Sequence, residues 1–155
     1  MTGRYGVPSW LLATCLGFGN RQMVKPKISL VTLGVRNIAA AKAFYERLGW
    51  ACSSDHDEVA FFELDGVVLG LYGWDDLAND AGVATSDGSA FRGHSLAHNE
   101  PSPEDVVRVF HEFIDAGASV VKQPESTPWG GYSGYVADLD GHLWEIAFNP
   151  FNDWT

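Results

Sequence analysis

Cysteine is scarce in this chain of 155 residues, with only Cys15 and Cys52 present, in segments of different character. A disulfide framework is thereby excluded, and such sparing use fits a reducing compartment, so a cytoplasmic location is expected. Positive charge is also short: ten Lys and Arg stand against twenty Asp and Glu, a formal net charge of -10. Nucleic acid and anionic membrane surfaces, which need clustered basic side chains to displace counterions, are poor partners for such a chain. Long hydrophobic runs are missing too. The apolar patch from Trp10 to Phe18 is interrupted by Gly17 and falls far short of the roughly 20 residues that cross a bilayer.

What remains is one domain's worth of sequence, long enough to bury roughly two thirds of its unfolded surface in a single core. Residues 1–24 contain no acid and only Arg4 and Arg21, and they read as an N-terminal extension. A signal peptide is the competing reading, but no small-x-small cleavage site follows the apolar patch, and Met23 is a second plausible first residue. The domain proper is expected over 25–150, with 151–155 as a tail.

Patterning divides that domain into two similar units, about 27–74 and 91–150, joined by a linker over 75–90. Ile28 to Val35 is β-branched and uncharged and stops at Asn37, a residue suited to capping a helix. Ile38, Ala41, Phe44, Tyr45 and Leu48 then recur at helical spacing, and Gly49 supplies the residue that ends the helix. Strands are expected at Trp50 to Ser54, Val59 to Leu64 and Val67 to Trp74, the last two joined through Asp65-Gly66, a strong hairpin signal. The linker is rich in Asp, Gly and small residues and leaves room for one helical turn. The second unit repeats the plan with a strand over Phe91 to Asn99. Ser102-Pro103-Glu104-Asp105 opens its helix with a cap, an early proline and acids at the positive end. Val106, Val109, Phe110, Phe113 and Ile114 form the apolar stripe, Gly117 closes it, and strands follow at Ala118 to Lys122, Tyr132 to Ala137 and Leu143 to Phe148. Asp65-Gly66-Val67-Val68-Leu69-Gly70-Leu71 matches Asp140-Gly141-His142-Leu143-Trp144-Glu145-Ile146 at one fixed offset, which places Gly70 opposite Glu145.

The fold class expected is therefore α+β: two tandem βαβββ modules forming a curved, incompletely closed eight-stranded mixed sheet. The helices lie outside, and the alternate residues that line the inner face make the default ligand site. Gly130-Gly131-Tyr132-Ser133-Gly134-Tyr135, Asp138-Leu139-Asp140-Gly141-His142-Leu143-Trp144-Glu145-Ile146, Phe44-Tyr45 and Leu48-Gly49 together resemble the vicinal oxygen chelate superfamily. This is the group of glyoxalase I, bleomycin-resistance proteins and extradiol dioxygenases, and the resemblance covers about Lys27 to Pro150. It implies lyases, dioxygenases, isomerases, epimerases or proteins that sequester a ligand, and fold analogy does not choose among them.

The resemblance also implies a divalent metal, held by His, Gln or Glu from the first and fourth strands of each module and acting as Lewis acid on a substrate's neighbouring oxygens. Those positions fall on Leu30, on Gly70, on Ser95 (or His94 if the strand is shifted by one residue) and on Glu145. One carboxylate among them is too few for an ion that needs about three protein ligands, so no metal cofactor is expected. The alternative is an unusual set of His94, His98 and Glu145 for Zn, Ni, Fe or Mn, although the two histidines stand about 13 Å apart along a straight strand.

Glu145, flanked by Trp144 and Ile146, points into the hollow by strand alternation and is the candidate catalytic group, a general base. Its plainer reading is a carboxylate paired with a hydroxyl or an Arg. Trp129, Tyr132 and Tyr135 surround a glycine-rich loop and, with Ser95 and Glu145, are the candidate ligand-binding residues; ordinary packing is the alternative for each. His111 and His142 are expected in solvent, and Asp138 and Asp140 as turn residues. The function expected is the binding of a small molecule, probed against two alternatives: a metal-dependent glyoxalase-like lyase or dioxygenase, and a non-catalytic dimeric interaction module. Open sheet edges and the resemblance point to a homodimer.

Overall fold

The computed structural model describes residues 24–54, 56 and 58–155. The expected N-terminal extension, with Cys15, lies outside the described residues apart from Val24. The first half of the domain contains β1 (Leu30–Val35), α1 (Ile38–Arg47), β2 (Val59–Glu63) and β3 (Val68–Gly73). Helix α2 (Trp74–Asp80) follows within the linker. The second half contains β4 (Leu96–Asn99), α3 (Pro103–Ala116), β5 (Ser119–Ser126), β6 (Tyr132–Ala137) and β7 (Leu143–Phe148).

Local chemistry sets the helix ends. Asn37 Oδ1 accepts from Ala40 N at 2.9 Å to start α1, and Ser102 Oγ accepts from Asp105 N at 3.1 Å to start α3, with Pro103 in the first turn. Gly117, at φ 115°, ends α3 in the left-handed region that a side chain would strain.

The fold is α+β with two mixed sheets, one of three strands in the order β1-β3-β2 and one of four in the order β4-β7-β6-β5. In each, one parallel pair (β1 with β3, β4 with β7) is flanked by antiparallel hairpins. Among the described residues seven strands thus stand where eight were expected, in two separate sheets. The difference arises at Trp50 to Ser54, where only Cys52 makes an isolated bridge to Phe62. The Phe61 amide donates to the Ser54 side chain at 3.1 Å, and the Cys52 thiol to the Ser54 carbonyl at 2.9 Å. The Ser53 amide still donates to the Phe61 carbonyl at 2.7 Å, but the side-chain bonds interrupt the ladder a strand would need. The strand expected from Phe91 shrinks to Leu96–Asn99, because Gly93 turns the chain at φ 77°. The single helical turn expected in the linker is a seven-residue helix, α2.

One core serves both halves. Val31, Leu33, Val35, Leu69 and Leu71 of the first sheet join Val136, Trp144 and Ile146 of the second beneath α1 and α3. Phe44 meets Phe113 edge-on at 6.3 Å between ring centres, and Tyr45 lies 6.0 Å from Trp144. Each fully buried Phe adds about 1.5–3 kcal/mol of apolar transfer, and Phe44, Phe110 and Phe113 are all buried. The alternate residues of both sheets therefore face away from the helices, onto one open side.

Candidate functional site in the linker cavity and on the open sheet face

The turn between β6 and β7 fastens the second half to the first. Asp138, only 6% exposed, accepts the Tyr45 hydroxyl at 2.7 Å and the amides of Asp140 and His142 at 3.0 and 2.8 Å. Burial first, and then the Asp138 carboxylate, push the Tyr45 phenol far above its ordinary range. His142, expected in solvent, is 6% exposed. Its Nε2 donates to the Gly34 carbonyl at 2.8 Å, so its Nδ1 accepts from Arg92 Nη1 at 2.8 Å; the ring is neutral and its tautomer fixed. Sequence reasoning missed this because a His after Asp-Gly reads locally as an exposed turn residue, and its partners lie in distant segments.

Arg92 ties the linker to this turn. Its Nη2 donates to the carbonyls of Asp140 at 2.6 Å and Gly88 at 3.3 Å, and its guanidinium lies 4.6 Å from the Trp74 ring centre. Arg36 lies over the same ring at 4.7 Å. Trp74 Nε1 donates to the Ser86 carbonyl at 2.8 Å, and Arg36 Nη2 to the Asp87 carbonyl. Helix α2 therefore lies across the open face at the end of β1: a side chain at Gly34 would meet Trp74 Cα at 3.4 Å and Leu77 Cδ2 at 3.5 Å.

Between α2, the linker and β1 is a cavity of about 290 Å³, at the small end of the range for small-molecule sites. Leu77, Ala78, Ala81 and Val83 contribute apolar walls; Thr32, Thr85, Ser86, Arg92, His94 and His142 are its polar lining. His94 Nδ1 donates to the Arg92 carbonyl at 3.2 Å, which leaves its Nε2 as the free ring atom. Arg92 Nε is buried and without a hydrogen-bond partner, a deficit of about 1–3 kcal/mol.

Farther along the open face, Glu145 stands directly between Ala97 of β4 and Tyr135 of β6. Its neighbours Trp144 and Ile146 are buried on the helix side, as alternation predicts. Burial and the facing Glu145 carboxylate hold the Tyr135 phenol above its ordinary range. The other sequence-named residues are elsewhere. Tyr132 packs on the helix side and donates to the Pro124 carbonyl at 3.1 Å, so it does not share the Glu145 face. Trp129 is 49% exposed, its ring lying against Gly131. Ser95 is exposed just before β4. His98 pairs in register with Ile146, on the opposite face from Glu145, and bonds Glu100 at 2.9 Å. His94, His98 and Glu145 therefore do not converge, and among the described residues no three His, Cys, Asp or Glu gather in a metal-holding group.

Seen whole, the paired strand–helix–hairpin halves and the shared core match a known architecture. The sequence profile of the Glyoxalase/Bleomycin resistance protein/Dioxygenase superfamily matches residues 27–146. The chain belongs to this superfamily. A solved structure of a glyoxalase-related enzyme from Fulvimarina pelagi is 35% identical, with a TM-score of 0.75 over 81% of this chain and 90% of that one. A family enzyme from Burkholderia phytofirmans is 21% identical, with a TM-score of 0.67 over 79% and 98% of the two chains. A lactoylglutathione lyase from Agrobacterium tumefaciens is 19% identical, with a TM-score of 0.64 over 85% and 100%. A search of curated proteins gives no match. The likeness to the last two concerns the fold.

The superfamily's metal can be tested against the residues present. Leu30 and Phe61 close over Gly70: a Cβ there would meet Phe61 Cε1 at 3.2 Å and Leu30 Cδ1 at 3.4 Å. Two of the four positions thus offer hydrocarbon or nothing, and Glu145 alone is a carboxylate. This donor set does not fit a divalent ion that needs about three protein ligands.

Proposed function

We propose that this superfamily member binds a small molecule on the open side of its sheets, without a metal held at the four strand positions, and does so as a homodimer in the cytoplasm. The observation that carries the reading is the Leu30–Phe61 packing over Gly70, which puts an apolar surface where the resemblance implies ligating groups. The cavity beneath α2 supplies an open-sided, mostly apolar volume with a few polar groups, the usual composition of a small-molecule site. The Tyr135–Glu145 pair extends the same face as a donor and an acceptor for a ligand's polar atoms. The open edges of β2 and β5 favour association with a second copy. Among the described residues no helix is long and apolar enough to cross a membrane.

Metal analysis of protein purified without a histidine tag tests the reading. Substoichiometric zinc, nickel, iron and manganese are expected; one equivalent of any of them, lost on Glu145→Ala, would overturn it. Light scattering of the same sample is expected to give twice the chain mass.

A further inference from the structure

We infer that the cavity beneath α2 takes a small monocarboxylic acid with a short apolar tail, its carboxylate held at the Arg92 end. The inference rests on the ligand-binding reading above and names the chemical class for that site.

The lining decides the charge. Twenty acids occur in this chain, yet none lines the cavity, where Arg92 carries the one permanent charge among the described residues. The partners of that guanidinium are the His142 ring and the carbonyls of Gly88 and Asp140, all neutral, and they leave one of the two Nη1 hydrogens without an acceptor. A partly buried cation with no counter-charge and an unused donor is half of a charge-assisted pair. A single N–H on a cation favours a charged carboxylate oxygen over a neutral acceptor. Its position is also rigid, since the Trp74 ring and the His142 nitrogen fix the plane, so a ligand meets a preorganised donor.

The walls decide the rest. Leu77, Ala78, Ala81 and Val83 present hydrocarbon, and the volume of about 290 Å³ leaves room for a tail the size of a leucine side chain.

Calorimetric titration of the full chain with isocaproate and with isocaproamide tests the class. The acid is expected to bind roughly tenfold tighter than the amide, the difference a charge-assisted bond makes. Ala81→Trp, which fills the cavity from its exposed wall and touches none of the Arg92 bonds, should abolish acid binding while leaving the melting temperature unchanged. Arg92→Gln, shown to be folded by circular dichroism, should bind acid and amide alike. Equal affinity of the wild-type chain for both probes would overturn the carboxylate assignment and leave the ligand-binding reading standing. Failure of the acid to bind, or undiminished binding in Ala81→Trp, would also overturn the assignment. A stoichiometric metal would instead remove the reading on which it rests, whichever probe is preferred.

Discussion

Two Asp-Gly turns occupy equivalent places in the two halves, and their surroundings differ completely. Asp65-Gly66 joins β2 to β3 through a two-residue loop closed by Leu64 N to Val67 O at 3.0 Å, and both turn residues are exposed. Asp140-Gly141 joins β6 to β7 through a longer loop closed by Asp138 N to His142 O, and its flanking residues are buried against the first half. At the fixed offset, Asp138 replaces the exposed Glu63 and His142 replaces Val67. Shortening one carboxylate by a methylene lets it receive the amides of its own turn and the Tyr45 hydroxyl together. A duplicated hairpin has thereby become the fastening between the duplicated halves.

The largest way to break that contrast is at Asp138. Asp138→Ala leaves a buried phenol and two amides without their acceptor, and about 3 kcal/mol of stability should be lost. Glu63→Ala, at the matching surface position, should stay within about 0.5 kcal/mol. Urea unfolding of both variants checks this, and equal effects would mean that the second turn fastens nothing. His142→Ala, which strands the Gly34 carbonyl and Arg92 Nη1, should cost about 2 kcal/mol, against about 1 kcal/mol or less for Val67→Ala.

Tyr45 sharpens the same comparison through pH. Its phenol is raised in the folded chain, so the stabilising term is fully present below the ordinary phenol range near pH 10. Above that range the unfolded chain ionises and the folded chain does not, so stability should fall with a slope of about 1.4 kcal/mol per pH unit from this group alone. Tyr45→Phe removes the hydroxyl bonds to Asp138 and Trp144 at a cost of about 1–2 kcal/mol. It should also abolish that part of the alkaline slope; an unchanged difference between the two proteins from pH 8 to about 11 would sink the assignment.

Such contrasts show what could be read from the sequence. The limits of α3 were legible because Ser102, Pro103 and Gly117 act on their own neighbours, and β7 was legible because alternation places Trp144 and Ile146 on one side and Glu145 on the other. The lost strand at Trp50 to Ser54 turned on Ser54, whose hydroxyl could serve a ladder or interrupt one, a choice made only once Phe61 arrives. The cavity was least legible. Thr32, Trp74, Arg92 and His142 come from β1, α2, the linker and a turn, and each alone has an ordinary surface reading. Trp129, Tyr132 and Tyr135 look alike in the sequence as ligand contacts, yet strand register sets Tyr135 directly beside Glu145 and puts Tyr132 on the other face.

The smallest effects are expected at that open-face pair, and they separate two causes. The Tyr135 phenol is raised first by burial and second by the facing Glu145 carboxylate, whereas Asp138 meets Tyr45 deep in the core. Glu145→Gln removes the negative charge and leaves the burial, so it should bring the Tyr135 phenol part of the way back toward its ordinary range. Difference absorbance titration of the variant against its Tyr135→Phe double mutant isolates that one phenol from the four others. Stability of Glu145→Gln should stay within about 0.5 kcal/mol, as befits a half-exposed position. A complete return to the ordinary range would make the carboxylate the larger cause. No movement would mean that the two side chains turn apart in solution, leaving Glu145 free to meet a ligand without first giving up a hydroxyl.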